Sequence, residues 1–152
     1  MLTLLQVTEA EAIRIMPKAL KQFAALPVAM MDGHPHVLLI TSRETRRWII
    51  PKGHPEKKLD ASALASLEAF EEAGVSGDIR PEPIGCYQSS KRLASGKSLP
   101  CEVTVFRLDV TQNLDDWKEK RERDRRWLPL AEAAELAADG GLGAFLAQLS
   151  LP

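Results

Sequence analysis

Apolar and polar positions along this chain alternate between two rhythms. PVAMM and HVLLIT are short apolar runs separated by Asp32-Gly33, a pair suited to a hairpin turn, and both read as strands. RRWIIPKG is a further apolar strand, stopped by Pro51 and Gly53. Residues 54–59 have loop character. The pattern then changes to an alanine-rich stretch, with Asp60 placed to cap a helix that runs to about Ala73 and Gly74 placed to stop it. IRPEPIGCYQSS and CEVTVFRLDV follow as two longer strands around a Ser95-Gly96-Lys97 turn. WLPL is a short extended piece, a helix follows from about Ala131, and Leu142, Phe145, Leu146 and Leu149 fall at helical spacing near the end. The first two dozen residues are helix-prone but weakly patterned. This order predicts a mixed α/β domain: a largely β body, one central helix and a C-terminal helix.

The 152 residues suit one domain, and 45% hydrophobic with 27% charged residues is ordinary for a globular protein. A net charge of -1 gives no global field to recruit nucleic acid or an anionic membrane, so any anion must be held by a local basic patch. Aromatic residues are 5% of the chain, too few for a stacking platform along a single strand. Trp48, Trp117 and Trp127 are therefore read as packing residues. No apolar run approaches the ~20 residues of a membrane span, and the acidic opening does not read as a signal peptide. The expected location is cytoplasmic. Cys86 and Cys101 lack metal-ligand spacing and are read as two reduced, buried thiols.

The candidate chemistry lies in residues 60–75, DASALASLEAFEEAGV. Past the cap, Glu68, Glu71 and Glu72 are the charged positions, and on an ideal helix they share an arc of about 100°. Like charges at this spacing cost roughly 0.2–0.5 kcal/mol per pair, and the helix has no Lys or Arg of its own to offset them. Cations must come from outside. A hard divalent ion fits oxygen ligands of this kind, and so do basic side chains from a loop; the helix by itself does not decide between them. Gly53, just before the loop that leads into this helix, lets the backbone turn sharply and come close to an ion or phosphate.

At this point the sequence resembles the Nudix hydrolases. Gly53, Glu68, Glu71-Glu72 and Gly74-Val75 match the family's signature in register. Ala69 stands at an aliphatic position; Leu59 stands where the signature has Glu, and Leu67 where it has Arg. SRETRRWIIPKG and WKEKRERDRRWLPLAEA resemble segments of the diphosphoinositol-polyphosphate phosphohydrolase branch, so the likeness covers roughly residues 26–136. It implies a Nudix-type α/β/α sandwich with a mixed central sheet, and a pyrophosphohydrolase that uses Mg²⁺ or Mn²⁺. Carried over, Glu68, Glu71 and Glu72 become catalytic residues and metal ligands, with the backbone carbonyl of Lys52 as a further ligand. Glu119 or Glu122 becomes a possible extra acid. Arg43, Arg47, Lys52, Gly53, Lys91 and Arg92 become substrate-binding residues, and His54 sits beside the box. The implied substrate is a small phosphorylated molecule of the diphosphoinositol-polyphosphate or dinucleoside-polyphosphate type. A non-catalytic ligand-binding domain and an enzyme that clears nucleoside triphosphates remain as alternatives. Leu59 and Leu67 are expected to pack on each other in place of an ion pair.

Overall fold

The computed structural model describes residues 20–152. A sheet of seven strands forms the middle layer. The strands are β1 (Leu20–Met31), β2 (His34–Thr41), β3 (Trp48–Ile49), β4 (Lys52–Gly53), β5 (Val75–Arg92), β6 (Ser98–Asn113) and β7 (Arg125–Pro129). The path β3-β2-β1-β6-β5 carries β4 beside β1 and β7 beside β2. β1 runs parallel to β6 and every other pairing is antiparallel, so the sheet is mixed as expected. The helices are α1 (Ala61–Glu68, continued by a π turn over Ala69–Ala73), α2 (Leu130–Leu136) and α3 (Leu142–Ala147).

Alternation along the central strands assigns the two faces. Ala24, Leu26, Val37, Leu39, Val103 and Val105 pack with Ala133, Leu142 and Leu146 of α2 and α3. Ala25, Leu38, Ile40, Phe106 and Leu108 point the other way, onto Ala65, Ala69 and Ala73 of α1. Helices on both faces explain why HVLLIT is a continuous apolar run rather than an alternating one. The three alanines recur every four residues, which keeps one thin stripe of α1 against the sheet. The sandwich architecture follows from these two covered faces.

The expected punctuation is in place. Asp32 and Gly33 both have positive φ, 52° and 77°, as a tight hairpin turn with right-handed strand twist requires. The Asp60 side chain accepts from the Ala63 N–H at 2.8 Å. Gly74 ends the helix in the left-handed region at φ 67°, where an added Cβ would lie 2.6 Å from the Trp117 ring.

Four expectations need correction. Part of the N-terminal helix-prone stretch, residues 1–19, lies outside the described residues, but from Leu20 onward it is strand β1. Pairing with β6 on one side and with β2 and β4 on the other overrides its propensity. RRWIIPKG is two short strands, β3 and β4, broken at Ile50-Pro51. Cys101 is buried but Cys86 is exposed; both are free thiols. β5 begins directly at Val75 and tolerates Pro81 and Pro83 because it is the edge strand, with register shifts around Pro83.

The helix α1 keeps part of its circumference exposed. Leu67 is 36% and Phe70 47% exposed. Neither Leu59 nor Leu67 belongs to the two buried clusters or to the side chains packed against them.

Candidate active site

The site is a cleft of about 670 Å³ at the junction of β4, α1 and the segment 114–124. Its lining includes the acidic residues Glu68, Glu72 and Glu119, with Glu44 and Glu56, and the basic residues Lys91 and Arg92 with His54. Glu68, the last residue of α1, and Glu72, in the π turn that continues it, lie close enough for their carboxyl groups to hydrogen-bond. Burial, and after it the bond to Glu68, push the Glu72 carboxyl up to about 9 against the pull of the Arg123 guanidinium. Glu68 is also raised, first by burial and then by the Glu71 and Glu119 charges.

Gly53 is the floor beside this pair. A Cβ there would meet the Glu68 carboxyl carbon and Oε1 at 2.6 Å, so only glycine lets that carboxyl lie on the backbone of β4. Lys52 pairs with Ala24 across the β4–β1 ladder.

Glu71 stands apart from its two neighbours. Its carboxylate accepts from Lys118 Nζ at 3.3 Å and it does not line the cleft. Glu119 does line it, while Glu122 faces outward, half exposed. The structure thus separates the two acids that the sequence left as equals. Glu119 is placed by a backbone bond from its N–H to the Glu71 carbonyl, 3.1 Å, and by the Arg123 guanidinium.

The expected substrate-binding residues divide. Lys91 and Arg92 line the cleft, and Lys91 Nζ lies 2.8 Å from His54 Nε2, which with burial lowers the His54 pKa. Burial is the larger cause. Arg43 is at the rim, 3.9 Å from Glu119 and 4.0 Å from Glu122. Arg47 does not line this cleft. It lines an adjoining hollow of about 400 Å³ with Arg92, Thr45, Ser90 and Ser98. Its Nε donates to Thr45 Oγ1 at 3.2 Å. The Lys52 ammonium is taken up by Asp139, 2.5 Å away, rather than pointing free into the cleft.

Asp139 was not legible in the sequence. It sits between α2 and α3, and also accepts from the Tyr87 hydroxyl at 3.0 Å and from Ser89 Oγ. Burial and the Asp139 carboxylate hold the Tyr87 hydroxyl protonated well above its ordinary range. Gly140 next to it has φ 55°, and a Cβ there would lie 2.4 Å from the Gln88 carbonyl, so the loop is pressed against β5. The other residues missed are Arg123, 8% exposed and 3.6 Å from Glu72, and Arg125, which stacks 3.9 Å above the Trp117 ring. Trp117 is a packing residue as expected, its indole N–H donating to the Glu72 carbonyl.

A NUDIX domain model matches residues 21–149. The chain belongs to the NUDIX family. It is 39% identical over 103 residues, 66% of its length, to Nudix hydrolase 12, mitochondrial, of Arabidopsis thaliana, covering 51% of that protein. It is 29% identical over 123 residues to diphosphoinositol polyphosphate phosphohydrolase 3-alpha of Mus musculus, covering 79% of this chain and 71% of that one. The chain spans about half the length of the plant relatives it matches. The fold is shared with a C. elegans Ap4A hydrolase binary complex at a TM-score of 0.63 and 21% identity, over 85% of this chain and 93% of that one. The NUDIX domain of Shewanella oneidensis NrtR complexed with ADP ribose superposes at 0.58 with 18% identity, over 93% of this chain and 96% of that one.

Family membership makes a divalent ion a fair test of the acidic lining. Among the described residues no group of three or more acidic, His or Cys side chains is already gathered at metal-ligating distances. The donor set still fits: Glu68 and Glu72 are hard oxygen donors, partly or wholly removed from water and crowded together. Gly53 leaves the space beside Glu68 clear of any side chain of its own.

Proposed function

We propose that this chain is a metal-dependent pyrophosphohydrolase that cleaves a phosphoanhydride in a small, highly phosphorylated metabolite. One observation carries the reading: a single cleft is lined both by carboxylates, Glu68, Glu72 and Glu119 among them, and by the basic side chains of Lys91 and Arg92. An acidic lining alone would suit a cation and a basic lining alone an anion. Together they suit a metal-bound polyphosphate.

Glu68 and Glu72, with the Lys52 backbone carbonyl, would hold Mg²⁺ or Mn²⁺. A divalent ion so held neutralises phosphate charge and makes a bound water acidic enough to supply hydroxide near neutral pH. Glu119 adds the acid from outside the helix. Glu71, held by Lys118 and outside the cleft lining, would orient the ion's water only after releasing Lys118. Lys91 and Arg92 hold the phosphate beyond the scissile bond, Arg92 with two parallel N–H donors and Lys91 with a point charge. Arg43 guards the rim, and Arg47 serves phosphate or hydroxyl groups that extend into the adjoining hollow.

The lining of the cleft favours a polyanion over a nucleoside. Among the described residues no Trp, Tyr or Phe lines either the cleft or the adjoining hollow, so a nucleobase would find no aromatic face there to stack on. A diphosphoinositol polyphosphate is the preferred substrate type on that ground, with dinucleoside polyphosphates second. The test is a panel of a diphosphoinositol polyphosphate, a dinucleoside polyphosphate and nucleoside triphosphates, each with Mg²⁺, Mn²⁺ or EDTA and with products identified by mass. Metal-dependent loss of one phosphate from the inositol compound is the expected result. Failure to cleave any member with either metal would leave a binding domain instead.

A further inference from the structure

We propose that Arg123 is a positioning residue: its guanidinium draws Glu119 from a loop toward the Glu68–Glu72 pair, and without it the site loses its third carboxylate. The inference rests on the metal-dependent reading above.

Arg123 is 8% exposed and reaches in three directions at once. Its Nε donates to Glu119 Oε1 at 3.0 Å, its Nη1 donates to the Thr41 carbonyl at 3.1 Å, and its Nη2 lies 3.6 Å from Glu72 Oε1. Its own backbone is stapled to the end of β2. The neighbouring Asp124 N–H donates to Thr41 Oγ1 at 2.9 Å, and the Thr41 N–H donates to the Asp124 carbonyl at 3.0 Å. The guanidinium is therefore anchored to the sheet, not to the loop that it organises.

Glu119 is held through its backbone, by its N–H bond to the Glu71 carbonyl at 3.1 Å, while its carboxylate depends on Arg123 and, at the rim, on Arg43. It lies in the irregular segment between β6 and β7, and a carboxylate there has the freedom of its loop. Helix α1 supplies no cation, because Leu67 stands where a charged partner would be and no basic residue lies in its last turn. Arg43 also approaches Glu119, but from the rim, with its side chain 59% exposed. A planar fork can meet two carboxylates and a carbonyl at fixed angles; a lysine ammonium offers one charged centre for all three.

Positioning and simple electrostatics make opposite predictions here. Removing a positive charge from beside two carboxylates should, by Coulomb's law alone, tighten the binding of a cation. A positioning role means that removal weakens it. The experiment is Mn²⁺ binding to the full chain without substrate, followed by the electron paramagnetic resonance of free Mn²⁺, with thermal melting to verify folding. Arg123→Gln should raise the Mn²⁺ dissociation constant about tenfold or more, and Arg123→Lys should recover only part of the loss. Glu119→Gln should match Arg123→Gln, while Glu122→Gln, one turn outward, should stay within about twofold of the parent chain. If Arg123→Gln does not fold, Glu119→Gln against Glu122→Gln decides. Tighter or unchanged Mn²⁺ binding in Arg123→Gln, or unchanged binding in Glu119→Gln, overturns the proposal while leaving the metal site standing. A parent chain that binds no Mn²⁺ overturns both readings.

Discussion

Gly53→Ala separates the site from the fold more sharply than any substitution of a charged residue. Gly53 has no left-handed backbone, so alanine can adopt its conformation, and the loss of chain freedom in the unfolded state favours folding by about 0.4–1 kcal/mol. The new methyl would meet the Glu68 carboxyl carbon and Oε1 at 2.6 Å and Cγ at 2.9 Å. These atoms must retreat by roughly 0.8 Å to reach ordinary contact at 3.4 Å. Because they are the far end of a flexible side chain, that retreat costs about 0.5–1.5 kcal/mol if it forces an off-rotamer χ angle. The two effects nearly cancel, so the melting temperature should change by only a few degrees. Activity is a different matter. A displacement of about 1 Å in a group that positions the reaction can cost about 100-fold, or roughly 2.7 kcal/mol of barrier. Gly53→Ala should therefore fold normally, hydrolyse its substrate at about one hundredth of the parent rate and bind Mn²⁺ more weakly. A folded variant with activity within threefold of the parent would show that the Glu68 carboxyl is not at the reacting centre.

Two further outcomes follow from the buried charges. Glu72 has a folded-state pKa raised to about 9, above its ordinary value of 4.5, so the metal-free fold binds a proton that the unfolded chain releases. That stability is fully present below about pH 4.5 and is lost as pH rises toward 9. In EDTA the melting temperature should fall between pH 5.5 and pH 8.5, Glu72→Gln should flatten much of the slope, and added Mg²⁺ should protect most at the alkaline end; a slope of the same size in Glu72→Gln would refute the assignment. Asp139→Asn leaves the Lys52 ammonium, 15% exposed, without its carboxylate, and should destabilise by about 3 kcal/mol in urea unfolding. A loss under ~1 kcal/mol would mean that Lys52 finds another partner.

The elements were legible because each rests on a short-range rule. Asp32-Gly33 demands a turn, and Asp60 and Gly74 bracket a helix; the cover on both faces of the sheet was implied only by the family resemblance. Glu68 and Glu72 were legible as a pair for the same reason, since i,i+4 spacing puts them side by side in any regular helix. The π turn over Ala69–Ala73 was not legible, because a one-residue widening leaves no compositional mark in AFEEA. Strand β1 was misjudged over Leu20–Ala24 because its stability comes from β6, about eighty residues later in the chain.

Long-range pairings are also where the rest of the site lies. Asp139 meets Lys52 across 87 residues, and Arg123 meets the Thr41 carbonyl across 82. Neither pair has a local motif that could announce it. Leu59 and Leu67 show the same limit from the other side. Replacement of a buried ion pair by packed leucines requires burial, yet Leu67 is 36% exposed and neither leucine packs with the buried clusters. The cation missing from α1 is supplied instead by a guanidinium anchored on β2. A box read in isolation therefore looks weakened at Leu67. With Arg123 brought in by the fold, a cation stands 3.6 Å from Glu72 and Glu119 keeps its place.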